Sequence, residues 1–418
     1  MNLLIKSATI IDASSKHHQQ TKDILIENGI ITSIKDVIEN SNNTKELHLE
    51  DLHISQGWLD SSVSFGEPGY EERETLENGL KTAALSGFTN LNLNPNTFPV
   101  TDTNTGVAFL KNKAITSAVS IHPIGALTRE SKGVDLAELY DMKQAGAVAF
   151  GDYQKSISNP NLLKIALQYT QNFDGLVLSY PQENAIAGKG IVNEEENATR
   201  VGLKGIPNLA EELQVARDLF LLEYTEGKLH IPTISTAKSV ELIKEAKARG
   251  LNVTCSVALI NLAITDDAIT DFDTNFKVLP PLRTKTDRKA LLDGVLDGTI
   301  DFVTSNHLPI DIEHKKVEFD HAKYGTIGLE SAFGVLNSIL DTEKVIELLT
   351  QNKARFNQEN ISVEEGNKAC LSIFNPNASY QFNIDDIIST SKNSAFLGST
   401  LKGKAYGIYN NSQLICNE

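Results

Sequence analysis

Apolar and polar positions alternate along the opening of the chain, in "LLIKSATIID" and again in "DILIENGIITSI". An Asn28-Gly29 pair divides the second run into two β-rich halves. Alternation of period two with a central Asn-Gly predicts short strands, the second pair joined by a tight hairpin. From about residue 53 to about residue 360 the pattern changes. Short apolar runs, around Leu59 and then in "GFTNLNLN", "AVSIHPIGAL", "GAVAFGDY", "DGLVLSY", "KLHIPTIS", "GLNVTCSV" and "IDFVTSN", read as eight strands. Amphipathic stretches lie between them, among them "LENGLKTAALS", "DLAELYDMKQA", "NPNLLKIALQYTQ", "NLAEELQVARDLFLLEYTEG", "TAKSVELIKEAKARG" and "KTDRKALLDGVLDG". Eight strands in such regular alternation with helices predict an α/β fold, a (β/α)8 TIM barrel. Strand character returns in "ACLSIFNP", "YQFNID" and "LKGKAYGIYNNSQLI". These runs are expected to join the N-terminal strands in one small β-sandwich, because chain termini tend to lie close together. The expected domains are therefore 1–52 plus 361–418 for the sandwich and 53–360 for the barrel.

Composition narrows the function without naming it. No stretch approaches the run of about 18 apolar residues that a membrane span needs, and the opening alternates like a strand rather than a signal peptide, so a cytoplasmic protein is expected. The formal charge of −16 disfavours a phosphate backbone as partner, since such binding depends on Lys and Arg displacing counterions. Neither membrane nor nucleic acid is an expected partner. Cys255, Cys370 and Cys416 form no CxxC, which suggests neither a disulfide framework nor a thiolate metal cluster.

One stretch carries a specific signal. "QGWLDSSVSFGEPGYEERETLENGLKTAALSGFTNLNLNPNTFPVTD" resembles a dihydroorotase segment that usually reads P-G-x-x-D-x-H-x-H-x-R-E-P-G and ends in M-P-N-T-x-P. "GAVAFGD", "LHIPTISTAKSVELI", "VLPPLRTKTDRKALLDGVLDGTIDFVTSNHLP" and "YGTIGLES" agree with the same family in order and spacing, and the tail resembles its closing strands. The resemblance covers essentially the whole chain and implies a barrel of the amidohydrolase type. It also implies a reaction, the opening or closing of the cyclic amide of dihydroorotate. In that reaction zinc polarises the carbonyl and activates a water, and an Asp carries the proton to the leaving nitrogen. His-x-His suits the first strand because residues two apart point to the same side.

Carried over residue by residue, the resemblance meets replaced ligands. The two first-strand histidines fall on Ser62 and Ser64. The bridging carboxylate falls on Asp152 and is kept. The next histidine falls on Ser179, or on Tyr180 if the match slips by one, and the following one on Thr233. The proton-carrying Asp falls on Asn306. One position of six keeps its chemistry, and neutral hydroxyls and amides do not replace imidazole or carboxylate at Zn²⁺. On the substrate side the carboxylate-clamping Arg falls on Gly66 and an Asn falls on Leu279, while Asn96 and His307 match family substrate contacts. Pro68, Gly69, Pro280 and Pro281 match too, but as turn residues. Asp152 is expected to be held by hydroxyls at the barrel top, and His307 to be buried. A Ser-His-Asp arrangement of Ser62 or Ser64 with His307 and Asp152 is geometrically conceivable but comes without a nucleophile elbow.

The leading expectation is a dihydroorotase-like protein without zinc or catalysis. It would be kept as a structural or regulatory partner, with aspartate carbamoyltransferase the partner implied by the resemblance and a homo-oligomer expected. The alternatives are a working dihydroorotase or related cyclic amidohydrolase, and a small-anion sensor using Asn96 and His307.

Overall fold

The structure, a computed structural model, describes residues 2–40 and 44–417. Its N-terminal strands are β1 (Leu3–Ile10), β2 (Thr21–Glu27), β3 (Ile30–Lys35), β4 (Lys45–Leu47) and β5 (His53–Gln56). The barrel strands follow: β6 (Trp58–Val63), β7 (Phe88–Leu93), β8 (Ser120–Gly125), β9 (Ala149–Phe150) and β10 (Val177–Leu178). A small excursion carries β11 (Val192–Asn193) and β12 (Gly205–Ile206), after which come β13 (Leu229–Ile231), β14 (Val253–Ala258) and β15 (Phe302–Thr304). The chain ends in β16 (Leu371–Gln381), β17 (Thr400–Asn410) and β18 (Gln413–Cys416).

The eight strands read from the sequence are the eight strands of the barrel sheet, ordered β6-β7-β8-β9-β10-β13-β14-β15 and all parallel. Closure joins the last strand to the first. Val63 pairs in parallel with His307, the Ser64 amide donates to the His307 carbonyl at 2.8 Å, and Thr304 Oγ1 donates to the Ser62 carbonyl at 3.1 Å. Parallel strands of this kind need helical crossovers, and helices such as Leu76–Leu85, Pro160–Thr170, Asn208–Thr225, Ala237–Ala248 and Lys285–Leu296 supply them. Thr75, Thr236 and Thr284 each cap the amide three residues on, fixing where those helices begin.

The chain ends meet in one continuous eight-stranded sheet, β18-β17-β16-β5-β1-β2-β3, with β4 also paired to β1. It forms as one sheet because β1 is long enough to pair with β4 through Leu3–Ile5 and with β5 through Thr9 and Ile10. Its own apolar core includes Leu3, Ile5, Ile24, Ile54 and Ile373. Asn28 and Gly29 both adopt positive φ, 53° and 80°, which makes the β2–β3 hairpin turn of the primed type that the Asn-Gly pair predicted. The boundary expected at residues 52/53 moves: His53–Gln56 pairs with β16 and β1, so the chain leaves this sheet at Gly57, the first residue able to break the run.

Trp58 opens the barrel and also sews the two units together. Fully buried, it stacks on Phe333 at 4.9 Å, tilts against Phe374 of β16 at 5.4 Å and meets Phe88 edge-on at 5.9 Å. Its indole N–H donates to Ser55 Oγ at 2.9 Å and its backbone N–H to Ser372 Oγ at 2.9 Å.

Candidate functional site

Side chains at the C-terminal ends of the barrel strands point into the mouth, where enzymes of this fold place their chemistry. The mouth is small. A cavity of 20 Å³ remains, lined by Ser62, Asn94, Tyr153, Tyr180, Thr233 and His230, among others. That is room for about one water molecule.

Ser62 and Ser64 project from the end of β6 to the same side, as their spacing requires. Asn94, one residue past β7, donates through Nδ2 to both hydroxyls at 3.1 Å. Ser64 in turn donates to Asn96 Oδ1 at 2.9 Å. Beneath them Asp60, almost wholly buried, accepts from the Ser62 amide at 3.1 Å, the Ser305 amide at 2.9 Å and the Thr304 hydroxyl. Burial raises its pKa although these donors oppose the rise. The two serines thus belong to a satisfied network of neutral groups rather than to an open coordination site.

Asp152, just past β9, is occupied as expected by a hydroxyl: it accepts from the amide of Thr128 at 3.0 Å and from the Thr128 hydroxyl. Burial raises its pKa, and the bonds from Thr128 pull the other way. Asn306 accepts from the Tyr153 hydroxyl at 3.3 Å. Tyr153, Thr233 and Asn306 hold positive φ of 56°, 49° and 49°. For a β-branched residue such as Thr233 that conformation is strained.

Two predicted site residues lie elsewhere. Ser179 points out of the barrel, donating to Asp218 of the helix Asn208–Thr225 at 2.6 Å, while its neighbours Leu178 and Tyr180 line the cavity. The inward position is therefore Tyr180, the reading in which the match slips by one. His307 does not line the cavity either. It is fully buried, Nδ1 accepts from the Gly328 amide at 3.2 Å, Nε2 has no partner, and the ring meets Phe65 edge-on at 6.0 Å. Asp152 and His307 thus bond to other groups, and no Ser-His-Asp relay forms.

The substrate positions are altered in shape as well as in chemistry. At Gly66 a Cβ would lie 1.8 Å from the Tyr70 carbonyl oxygen, so this loop leaves no space for an arginine. Leu279 joins Tyr180, Ala187, Ile206 and Ala210 in an apolar cluster over the mouth, and its carbonyl accepts from Gln154 Nε2 at 2.7 Å. Tyr153 and Gln154, which fill the space together with Tyr180, were not singled out from the sequence; Tyr153 directly follows the retained Asp152, and that adjacency was the available signal.

The donors gathered here are hydroxyls, amides, one carboxylate already bonded to Thr128 and one imidazole, His230, whose two nitrogens are engaged by the Thr254 and Ser256 hydroxyls; they do not fit a zinc site. Among the described residues no group of three or more His, Cys, Asp or Glu is placed to hold a metal ion.

Two buried histidines make the fold sensitive to acid. Burial lowers the pKa of His307 to about 4 and that of His230 to about 3. With folded values below the unfolded one, their stabilising contribution is complete above about pH 6.5 and is lost as pH falls towards 4. Asp60, Asp152 and Asp218 act in the opposite sense, because their pKa values are raised. Urea unfolding at pH 7 and pH 5 is expected to show that His307→Gln removes about 2 kcal/mol of the pH dependence. An unchanged dependence would mean that His307 is not held neutral.

A family profile described as Dihydro-orotase-like matches residues 53–239. The dihydroorotase of Pelotomaculum thermopropionicum is 39% identical over 410 residues, covering 96% of this chain and 96% of that protein. The dihydroorotase of Acetivibrio thermocellus is 38% identical over 424 residues, covering 100% and 99%. The chain belongs to the dihydroorotase family. Among solved structures, L-hydantoinase from Arthrobacter aurescens superposes with a TM-score of 0.84 at 20% identity, covering 99% of this chain and 96% of that one. Dihydropyrimidinase from Brevibacillus agri gives 0.82 at 17%, covering 100% and 96%. At such identities the likeness is one of fold alone.

No helix among the described residues is long and apolar enough to cross a membrane.

Proposed function

We propose that this member of the dihydroorotase family binds no zinc, does not turn over dihydroorotate and serves as a structural or regulatory partner. Aspartate carbamoyltransferase is the partner that the family resemblance suggests. The observation that carries the reading is the barrel mouth itself: Ser62, Ser64, Thr233 and Asn306 stand at ligand positions, and the remaining space is 20 Å³. Zinc chemistry in such a site requires imidazole or carboxylate donors and an open position for water. A neutral hydroxyl network tied together by Asn94 supplies neither. The small volume also weighs against a sensor of small anions at this place, since Asn96 is engaged by Ser64 and His307 lies behind the wall. Relatives named dihydroorotase are the one observation favouring a working cyclic-amide hydrolase.

Metal analysis separates the two. Protein expressed with supplemented zinc and briefly dialysed is expected to carry well under one zinc per chain. Near-stoichiometric, dialysis-resistant zinc would overturn the proposal. Recovery of a transcarbamoylase with the tagged chain from its own cell extract tests the partner role separately.

A further inference from the structure

Away from the filled barrel mouth, an open pocket lies at the seam between the two units. Its volume is about 440 Å³, within the range of small-molecule sites and far above the 20 Å³ left at the mouth. One wall belongs to the sheet of the chain ends, with Ile11, Asp12, Ala13 and Ser14 of the loop after β1 and Gln56 at the end of β5. The other is the helix Thr342–Thr350, which contributes Glu343, Ile346 and Glu347.

A buried acceptor without a donor stands in the first wall. Gln56, 8% exposed, donates through Nε2 to Asp12 Oδ1 at 2.8 Å and to Ser14 Oγ at 2.9 Å. The amide is fixed in this sense, because turned round it would set its oxygen against the Asp12 carboxylate. Oε1 is therefore left without a hydrogen bond, a costly state for a buried polar atom. A ligand that brings its own N–H group would relieve it.

Charge narrows the class of ligand. Three carboxylates line the pocket, those of Asp12, Glu343 and Glu347, and no Lys or Arg does. Asp12 accepts only from neutral groups, namely Ser14, Gln56 and the Val363 amide at 2.8 Å. Glu343 accepts from Gln19 Nε2, and Glu347 alone meets a cation, Lys344 at 2.9 Å. His18, also in the lining, adds no charge: its Nδ1 accepts from the Asp12 amide at 3.2 Å and so carries no proton. Among the described residues, two of the three negative charges thus meet no cation.

A bare metal ion does not suit the place, since among the described residues no group of three or more His, Cys, Asp or Glu is set to hold one. An organic cation does suit it. Ammonium groups carry the N–H donors that Gln56 Oε1 and the carboxylates accept, and Ile11, Ala13 and Ile346 offer apolar surface to methylene groups. Two unmatched charges, one on each wall, select a dication with an alkyl spacer. The net charge of −16 adds long-range attraction for such a ligand.

We propose that the seam pocket binds a linear alkyl diamine, with one ammonium towards Asp12 and Gln56, the other towards Glu343 and Glu347, and the methylenes between them. An occupant so placed touches both units and ties the sheet to the barrel. The proposal is independent of zinc and of the partner role, and neither outcome at the barrel mouth bears on it. The test is calorimetric titration of the full chain with 1,4-diaminobutane, with 1-aminobutane, and with sodium chloride at equal ionic strength. The diamine is expected to bind saturably, at one per chain. Sodium chloride is expected to give no saturable heat, and 1-aminobutane is expected to bind about tenfold more weakly, for want of one charge-assisted contact. Glu347→Gln is expected to weaken the diamine by a similar factor of about ten. Ala13→Lys, which sets a cation in the pocket wall, is expected to abolish binding. Both side chains reach solvent, so the circular dichroism spectrum of each variant is expected to stay unchanged. Absence of saturable binding at millimolar diamine would overturn the proposal. So would binding indifferent to both substitutions, which would mark a diffuse counterion effect of the acidic surface, or equal affinity for the monoamine.

Discussion

Dihydroorotate incubated with the purified, zinc-supplied protein is expected to yield no carbamoyl aspartate above the uncatalysed background. The family reaction draws on a metal-activated water and a carboxylate that relays its proton, contributions worth several orders of magnitude each. At the corresponding positions stand Ser62, Ser64, Thr233 and Asn306, and the inward residue just past β10 is Tyr180. The arginine that would hold the substrate carboxylate has no room at Gly66, where even a Cβ meets the Tyr70 carbonyl. The expected rate is at least about 10⁶-fold below that of an ordinary enzyme, which places it under detection in a chromatographic assay. Turnover in the usual enzymatic range, lost in Asp152→Ala, would refute this expectation and restore the hydrolase reading.

Trp58→Ala is expected to destabilise the protein by about 4 kcal/mol, at the upper end for a core truncation and a large part of a typical folding free energy. The indole is fully buried among Phe88, Phe333 and Phe374, and its N–H bond to Ser55 is lost with it. These rings come from the barrel, from the helix Leu329–Ile339 and from the sheet of the chain ends, so the vacated volume opens at the seam between the two units. Urea unfolding with tryptophan-independent detection, by far-UV circular dichroism, measures the loss. A change under about 1 kcal/mol would show that the seam collapses around the cavity, contrary to the rigid packing argued here.

Much of the fold was legible because it rests on local patterns. Every barrel strand coincided with an apolar run of the expected kind, and Asn28-Gly29 announced the hairpin. The helices Asn104–Lys113 and Leu329–Ile339 were not singled out. The first carries little apolar character, with only Val107 and Leu110 buried, and the second is apolar nearly all round because it lies between the barrel and β17. The first therefore lacks the one-sided stripe that marks a surface helix, and the second buries almost its whole length. At the site, the positions of Ser62 and Ser64 could be read directly, since they stand two apart at the end of one strand. The direction of Ser179 could not. Strand β10 has two residues buried on both faces, so no alternation of apolar and polar positions fixes which side chain points inward. The volume of the mouth depends on Tyr153 and Gln154, from the loop after β9, meeting Tyr180 from the loop after β10, and no single segment encodes that.

The filled mouth has a directional consequence. An imidazole is several times larger than the hydroxymethyl group of Ser62 or Ser64, and the space in front of them is already taken by two tyrosines and an apolar lid. Putting back one histidine would overpack the mouth and break the Asn94 network, costing about 1–3 kcal/mol and returning no metal. Putting back both would still leave Tyr180 where a third ligand belongs. Every single-step path towards a histidine-lined mouth thus runs uphill in stability, so this geometry works as a ratchet.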